Sequence, residues 1–252
     1  MARSSIRRSN DSDLREIHSW LTHEAKEGVS GNFLCNWRIV EESHSAGTMT
    51  VFIDGPTRRP VAFQCGELLV QGILQVKKEF QGRGIGKKLV SHLEKRALKQ
   101  GITILSIRCA NEESKSFWTD IGFKIYGEHG EAYKLLRMPL RSFHDYEAEC
   151  DVVISFYLGS YLYGESFHPL EVHSLRAVSD KRKLYLKERL SFFPIQYDVS
   201  YWVDSVVKVE INGVTVLCDK LKYREARDLG FFKCRNGWVL DEITIPSEKH
   251  PY

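Results

Sequence analysis

The chain has 252 residues, long for one compact α+β domain and comfortable for two of roughly 100–150 residues each. Hydrophobic content of 42% and charged content of 27% exclude disordered and fibrous classes. No apolar run approaches the roughly 20 residues that a bilayer span needs. The net charge of +3 hides an asymmetry: residues 1–140 carry 21 Lys+Arg against 16 Asp+Glu, residues 141–252 carry 15 against 17. Aromatic residues shift the other way, with 11 in the first part and 18 in the second. Both shifts fall at one place and predict a domain over 1–140, a linker over 141–150 and a β-rich domain over 151–252. The basic opening MARSSIRRSNDSDL has no apolar stretch behind it and does not read as a secretory leader. Six cysteines lie at least 16 residues apart with no CxxC pair, so neither a zinc finger nor a disulfide framework is expected. The expectation is a soluble cytoplasmic protein with reduced thiols and no metal.

In chain order, Ser4 to Arg8 reads as a strand, and Asp11 as the N-cap of a helix through about Glu24, with Leu14, Ile17 and Leu21 at helical spacing. A shorter helix is expected over Phe33 to Val40. Met49 to Ile53 and Val61 to Cys65 form a hairpin around DGPTRRP. Gly72 to Lys78 is a strand ending in Gln81-Gly82-Arg83-Gly84-Ile85-Gly86, and a helix with Ile85, Leu89, Leu93 and Ala97 inward runs from there to Gly101. Ile102 to Cys109 is a strand covered on both faces. Asn111 to Asp120 is a short helix, and Phe123 to Tyr126 and Ala132 to Met138 are the last strands of this half. In the second half Val152 to Leu158 is a strand and Ala177 to Leu190 a helix. Asn212-Gly213 and Asn236-Gly237 turn two hairpins, with a helix over Lys220 to Leu229 between them.

The strand, glycine turn and helix carry the chemical signal. Glycines let successive N–H groups face one concavity, and the helix behind adds its unpaired donors and dipole, so the turn suits a phosphate or pyrophosphate. The spacing is neither that of a Walker loop nor that of a dinucleotide fingerprint. The plain alternative is a helix-start turn without a ligand.

Taken with N-E-E-S-K-S-F-W-T-D-I-G-F further along, V-x-x-x-F-Q-G-R-G-I-G resembles the GNAT superfamily of acyl-CoA-dependent N-acetyltransferases over about residues 4–140. Gln81, Gly84 and Gly86 match its [QR]-x-x-G-x-[GA] pattern, and Asn111, Ser114, Phe117, Gly122 and Phe123 match its second motif. The resemblance implies an α+β fold, a GNAT-like mixed central sheet flanked by helices, with the β-rich α+β domain following. It implies acetyl-CoA as co-substrate, with its pyrophosphate on the backbone of Gly82, Arg83, Gly84, Ile85, Gly86, Lys87 and Lys88. Leu74, Gln75 and Val76 would pair with pantetheine, Asn111 and Ser114 would lie along its arm, and Phe117 and Trp118 would flank the thioester.

Two departures bear on catalysis. Trp118 stands where the family has its Tyr acid, and an indole N–H does not practically give up its proton. Water or Tyr126 would then reprotonate the thiolate. The strand positions that often carry a base are Gly72 and Val70, leaving Glu67, acting by way of water, as the candidate base and Glu79 as the other near carboxylate. The resemblance therefore implies direct transfer of an acetyl group to a primary amine, on a small molecule, a protein or an aminoacyl-tRNA, with no membrane partner and a homodimer as the family's common arrangement. The alternative is a catalytically weak acyl-CoA-binding sensor or interaction module on the same scaffold. In the second half, Glu171 and His173 share a strand face but lack a third metal ligand. That half is a candidate for acceptor recognition.

Overall fold

The computed structural model describes residues 3–66, 69, 72–126, 128–143, 149–158, 168–180, 182–197, 204–234 and 237–245. The chain divides into two compact units, Met1–Leu136 and Arg137–Tyr252. The division falls four residues before the end of the composition-based domain. Met138, Pro139 and Leu140 pair with a strand of the second unit instead, through Arg189 N–H to the Met138 carbonyl at 2.9 Å and Leu140 N–H to the Lys187 carbonyl at 2.9 Å.

The first unit runs β1 (Ser5–Arg8), α1 (Asp11–Lys26), α2 (Trp37–Ser45), β2 (Thr50–Ile53), β3 (Pro60–Gln64), β4 (Leu74–Val76), α3 (Ile85–Lys99), β5 (Ile104–Arg108), α4 (Glu112–Asp120), β6 (Lys124–Tyr126) and β7 (Glu131–Leu135). The cap of α1 is Asn10 rather than Asp11. Its Oδ1 accepts the Asp13 N–H at 2.9 Å while Asp13 Oδ2 accepts the Asn10 N–H at 2.9 Å, a reciprocal box that satisfies two otherwise orphaned donors. Ile17, Trp20 and Leu21 then face inward, with Trp20 tilted against Phe63 of β3 at 5.9 Å. A 3₁₀ turn over Leu34–Asn36 leads into α2, so the second helix starts and ends later than its apolar spacing suggested.

The strands of this unit form two sheets. One has the order β1-β2-β3-β4 and the other β5-β7-β6, with antiparallel pairing throughout. Among the described residues β4 and β5 therefore each end a sheet. α3 packs Ile85 and Leu89 against Phe52, Val61 and Ala62 on one side, and Val90, Leu93 and Ala97 against Leu105, Trp118 and Phe123 on the other. One amphipathic helix thus packs against strands of both sheets.

The second unit runs β8 (Glu149–Leu158), β9 (Glu171–Asp180), β10 (Lys183–Phe192), β11 (Ser205–Ile211), β12 (Val214–Lys220), α5 (Arg224–Leu229), β13 (Phe232–Lys233) and β14 (Trp238–Thr244). They make one antiparallel sheet in the order β12-β11-β8-β9-β10-β14-β13. The helix expected over Ala177 to Leu190 is instead the end of β9 and most of β10, paired from Lys183–Asp180 to Leu186–Ala177. Leu184 and Leu186 are buried two residues apart, and that period of two places them on one sheet face where a helix would separate them. Asn212 and Gly213 take φ of 49° and 80°, the left-handed pair that a type I′ hairpin requires. β13 and β14 pair next to each other, although Asn236 of their turn lies outside the described residues. Phe156 and Phe192 stack at 3.9 Å within a core that draws only on this unit.

Candidate acyl-CoA groove

α3 begins differently from α1 and α4. Asn10 and Asn111 cap α1 and α4 through side chains, whereas α3 has Gly84 at its N-cap and no side-chain cap. Its first N–H groups are left to face outward from a turn in which Gly82 and Gly84 hold φ of 72° and 73°. Only glycine takes that conformation without strain, and no atom lies within 4 Å of where either Cβ would stand. The turn therefore presents bare backbone, uncovered donors and the positive end of a helix dipole together.

A cavity of about 470 Å³ opens in front of it. One wall is Leu74, Gln75 and Val76 on β4, and the floor is Gln81, Gly82, Gly84, Ile85, Gly86 and Lys87. The opposite wall is Ala110, Asn111, Glu113, Ser114, Phe117 and Trp118 at the end of β5 and on α4. The two distant motifs are thus brought to one groove. Gly86 lets the walls approach: a Cβ there would stand 3.0 Å from Phe117 Cζ.

The structure distributes the expected roles unevenly. Of the three basic side chains in this stretch, Arg83, Lys87 and Lys88, Lys87 lines the groove. Arg83 folds back, donating to the Glu79 carbonyl at 2.8 Å with its guanidinium 4.7 Å from the centre of the Phe80 ring, and Lys88 leans over Phe52. Gln81 Nε2 donates to the Val76 carbonyl at 3.1 Å and ties the turn to β4. Asn111 Oδ1 accepts the Ser114 N–H at 2.8 Å, and the Ser114 hydroxyl donates back to the Asn111 carbonyl at 2.7 Å. These two side chains therefore build the start of α4, and of the Asn111 amide only Nδ2 is outside that cap.

Trp118 lines the groove but is 8% exposed, held edge-on by Phe117 and Phe123 at 5.0 Å each. Tyr126 is not at the groove. It ends β6, the strand farthest from β5 in its sheet, and packs against Tyr133 at 5.9 Å, away from the cavity where the expected acid would stand. Glu67 lies outside the described residues. Gly72 is where a strand carboxylate would stand, and any Cβ there would meet the Cys65 carbonyl at 2.2 Å. Glu79 pairs with Lys77 at 2.7 Å, and Lys77 holds its carboxyl below the ordinary range.

Sequence reading missed Glu113, the carboxylate on the groove wall, and the segment Val29, Ser30, Gly31 and Phe33 that closes its far end. The acidic first turn Glu112-Glu113 behind the Asn111 cap was the available signal for the former. Burial pushes the Cys65 thiol up to about 12 and raises Cys109 as well, so neither supplies a ready thiolate. In the second unit Glu171 accepts from the Tyr197 hydroxyl and meets His173 Nε2 at 2.7 Å. Among the described residues no group of three or more His, Cys, Asp and Glu side chains gathers as a metal site, and no helix is long and apolar enough to cross a membrane.

A family model described as FR47-like protein, a GNAT-related family, matches residues 61–131, the segment from β3 to the start of β7 that builds this groove. No curated protein matches the chain. Among solved structures, a GNAT-family acetyltransferase from Listeria monocytogenes is 15% identical, with 54% of this chain and 98% of that one covered and a TM-score of 0.43. The PaiA N-acetyltransferase of Thermoplasma acidophilum, in complex with coenzyme A, is 18% identical over 53% and 99% of the two chains, with a TM-score of 0.39. N-acetylglutamate synthase from Neisseria gonorrhoeae, complexed with coenzyme A and N-acetyl-glutamate, is 15% identical over 55% of this chain and 36% of that one, with a TM-score of 0.39. The first unit is an α+β unit whose groove-bearing segment is similar to the FR47-like family.

Proposed function

We propose that the first unit binds acetyl-CoA in the groove and catalyses transfer of its acetyl group to a primary amine by direct attack. The observation that carries this reading is the groove itself: it lies between β4, the outer strand of one sheet, and the start of α4, and an uncapped glycine-rich helix start opens into it. An open strand edge suits the amides of a pantetheine arm, and the bare N–H groups of the turn suit a pyrophosphate. Lys87 adds a charge on the groove floor.

In this reading the acetyl carbonyl sits between β4 and Asn111, the amine nitrogen forms the new C–N bond, and the C–S bond breaks to release the thiolate. The attacking amine must first lose a proton. Glu113, exposed on the groove wall, is the described carboxylate placed to receive it, by way of water. The thiolate takes its proton from water, since Trp118 cannot donate one and Tyr126 is elsewhere. The raised Cys65 and Cys109 thiols fit direct transfer without an acyl-enzyme.

Calorimetric titration of acetyl-CoA, with desulfo-coenzyme A and ATP as comparison ligands, tests the groove. Binding that depends on the pantetheine arm supports it; no binding, or equal binding of ATP, removes it. Trp118 at the acid position favours a second reading, a cofactor-responsive module without turnover. Thiol release in the presence of amines separates the two.

A further inference from the structure

The segment between α1 and α2 is held in place by a short hydrogen-bonded chain. Glu24, 4% exposed near the end of α1, accepts the Lys78 N–H on Oε1 at 2.7 Å and Gln75 Nε2 on Oε2 at 3.4 Å. Gln75 Oε1 in turn accepts the Phe33 N–H at 3.1 Å. Asn32 adds a second anchor, donating from Nδ2 to the Leu21 carbonyl at 2.9 Å. Held so, Val29, Ser30, Gly31 and Phe33 line the groove, and a Cβ on Gly31 would stand 3.4 Å from Asn111 Nδ2. The segment therefore reaches from the β4 side of the groove to the first residue of the opposite wall.

The hydrogen-bond directions leave only one chemistry at position 24. Both Glu24 oxygens face donors, so both must accept, and only a carboxylate does this. A carboxamide there would put a donor against either Lys78 N–H or Gln75 Nε2. If Gln75 flipped to accommodate it, its own amide donor would meet the Phe33 N–H. A buried donor left unpaired is costly, so a one-atom change undoes the Gln75 link to the segment while the Asn32 anchor and the Val29 N–H to Glu24 carbonyl bond stay in place. Around the carboxylate stand Lys77, Glu79 and Glu27, the last paired with His23 at 3.2 Å. Burial raises Glu24 from its ordinary value, opposed by the Lys78 N–H and by Lys77.

We propose that Glu24 is a positioning residue for the acceptor side of the groove: through Gln75 it holds segment 28–33 against Asn111 and sets the width of the opening through which an amine reaches the thioester. This rests on the acetyl-transfer reading above. Glu24 itself does not line the groove, so it touches neither co-substrate nor amine.

The test uses the full chain with Glu24→Gln and Glu24→Asp, the second keeping an acceptor-only group. Three quantities are read: amide hydrogen exchange in 28–36 with 85–99 as internal reference, coenzyme A affinity, and acetyl transfer to ethylamine and to a lysine-containing hexapeptide. In Glu24→Gln, exchange in 28–36 is expected to rise at least tenfold with 85–99 unchanged. Coenzyme A affinity should stay within threefold, while the ratio of kcat/KM for hexapeptide over ethylamine moves at least tenfold. Glu24→Asp should return part of each change. Unchanged exchange in 28–36, or faster exchange with an unchanged amine ratio, overturns the proposal. Loss of protection across 85–99 as well would mark Glu24 as merely structural and overturns it too. A wild-type chain that binds no coenzyme A or acetylates neither amine defeats the acetyl-transfer reading and the acceptor role with it, while the exchange arm still decides whether Glu24 holds the segment.

Discussion

The two units handle the same backbone problem in opposite ways. In the second, the interior strands β11, β8, β9, β10 and β14 each have a neighbour on both sides, so their N–H and C=O groups are spent on the sheet. In the first, the strands are split between two short sheets, and β4 and β5 each keep a side without a strand partner among the described residues. A continuous sheet gains stability and has little backbone left to offer a ligand. Two short ones give up that pairing and keep donors and acceptors at a fixed spacing beside a helix start. Function is therefore expected where the pairing is incomplete.

The largest effect is expected at Gly84. Gly84→Asp should weaken acetyl-CoA binding at least 100-fold by calorimetry. No atom lies within 4 Å of its Cβ position, so the loss does not come from a clash. It comes from a carboxylate where phosphate must approach, with a left-handed backbone costing roughly 1–2 kcal/mol on top. Gly84→Asn separates the two, because it meets the same left-handed backbone as Asp but carries no charge. It should lose less than about tenfold. Equal losses in both variants would assign the effect to backbone strain, and no loss in Gly84→Asp would sink the pyrophosphate assignment.

Next comes Trp118→Tyr. The indole is wedged between Phe117 and Phe123, and a smaller ring leaves a void costing about 1–3 kcal/mol in unfolding free energy. Yet the hydroxyl restores a transferable proton beside the groove, so kcat should be kept or raised despite the lower stability. A large fall in kcat would show that the indole shapes the thioester site.

These residues also mark what a linear reading reaches. The glycine turn is legible because positive φ and open space are demands on residue type itself, and the same holds for Asn212-Gly213. The Asn111 motif is legible in position, but its Oδ1 turns out to cap α4, a use that sequence alone does not separate from ligand contact. Ala177 to Leu190 was misread because Leu186 and Leu190 lie four residues apart, as on a helix, whereas the spacing of two from Leu184 to Leu186 marks the strand face. The pairing of Glu24 with Gln75 was invisible for another reason: they lie 51 residues apart, and only the fold brings a buried carboxylate to that amide.

Asn111 offers a finer cut through the groove wall. Asn111→Asp keeps the oxygen that accepts the Ser114 N–H and loses the Nδ2 donor, whereas Asn111→Ala loses both. Thermal unfolding should show about 1 kcal/mol lost in Asn111→Ala and little in Asn111→Asp, the usual range for a removed cap. Coenzyme A affinity should fall in both, by roughly tenfold if Nδ2 contributes one hydrogen bond to a neutral acceptor. Full affinity in Asn111→Asp would leave the residue a cap alone.

The smallest effect sharpens the contrast by removing one side of it. A fragment ending at Leu136 should bind acetyl-CoA within threefold of the full chain. All three apolar clusters of the first unit draw on residues up to Leu136, while the cluster of the second draws on Val152 onward with Leu140 packed against it. A fragment ending at Leu140 makes the companion measurement, because it keeps Met138 and Leu140 but loses the strand they pair with. It should bind coenzyme A as tightly yet aggregate more readily, since two apolar side chains and unpaired backbone are left exposed. Equal solubility of the two fragments would place the boundary outside the 137–140 stretch. An insoluble or non-binding Leu136 fragment would mean that the first unit depends on the second for its stability.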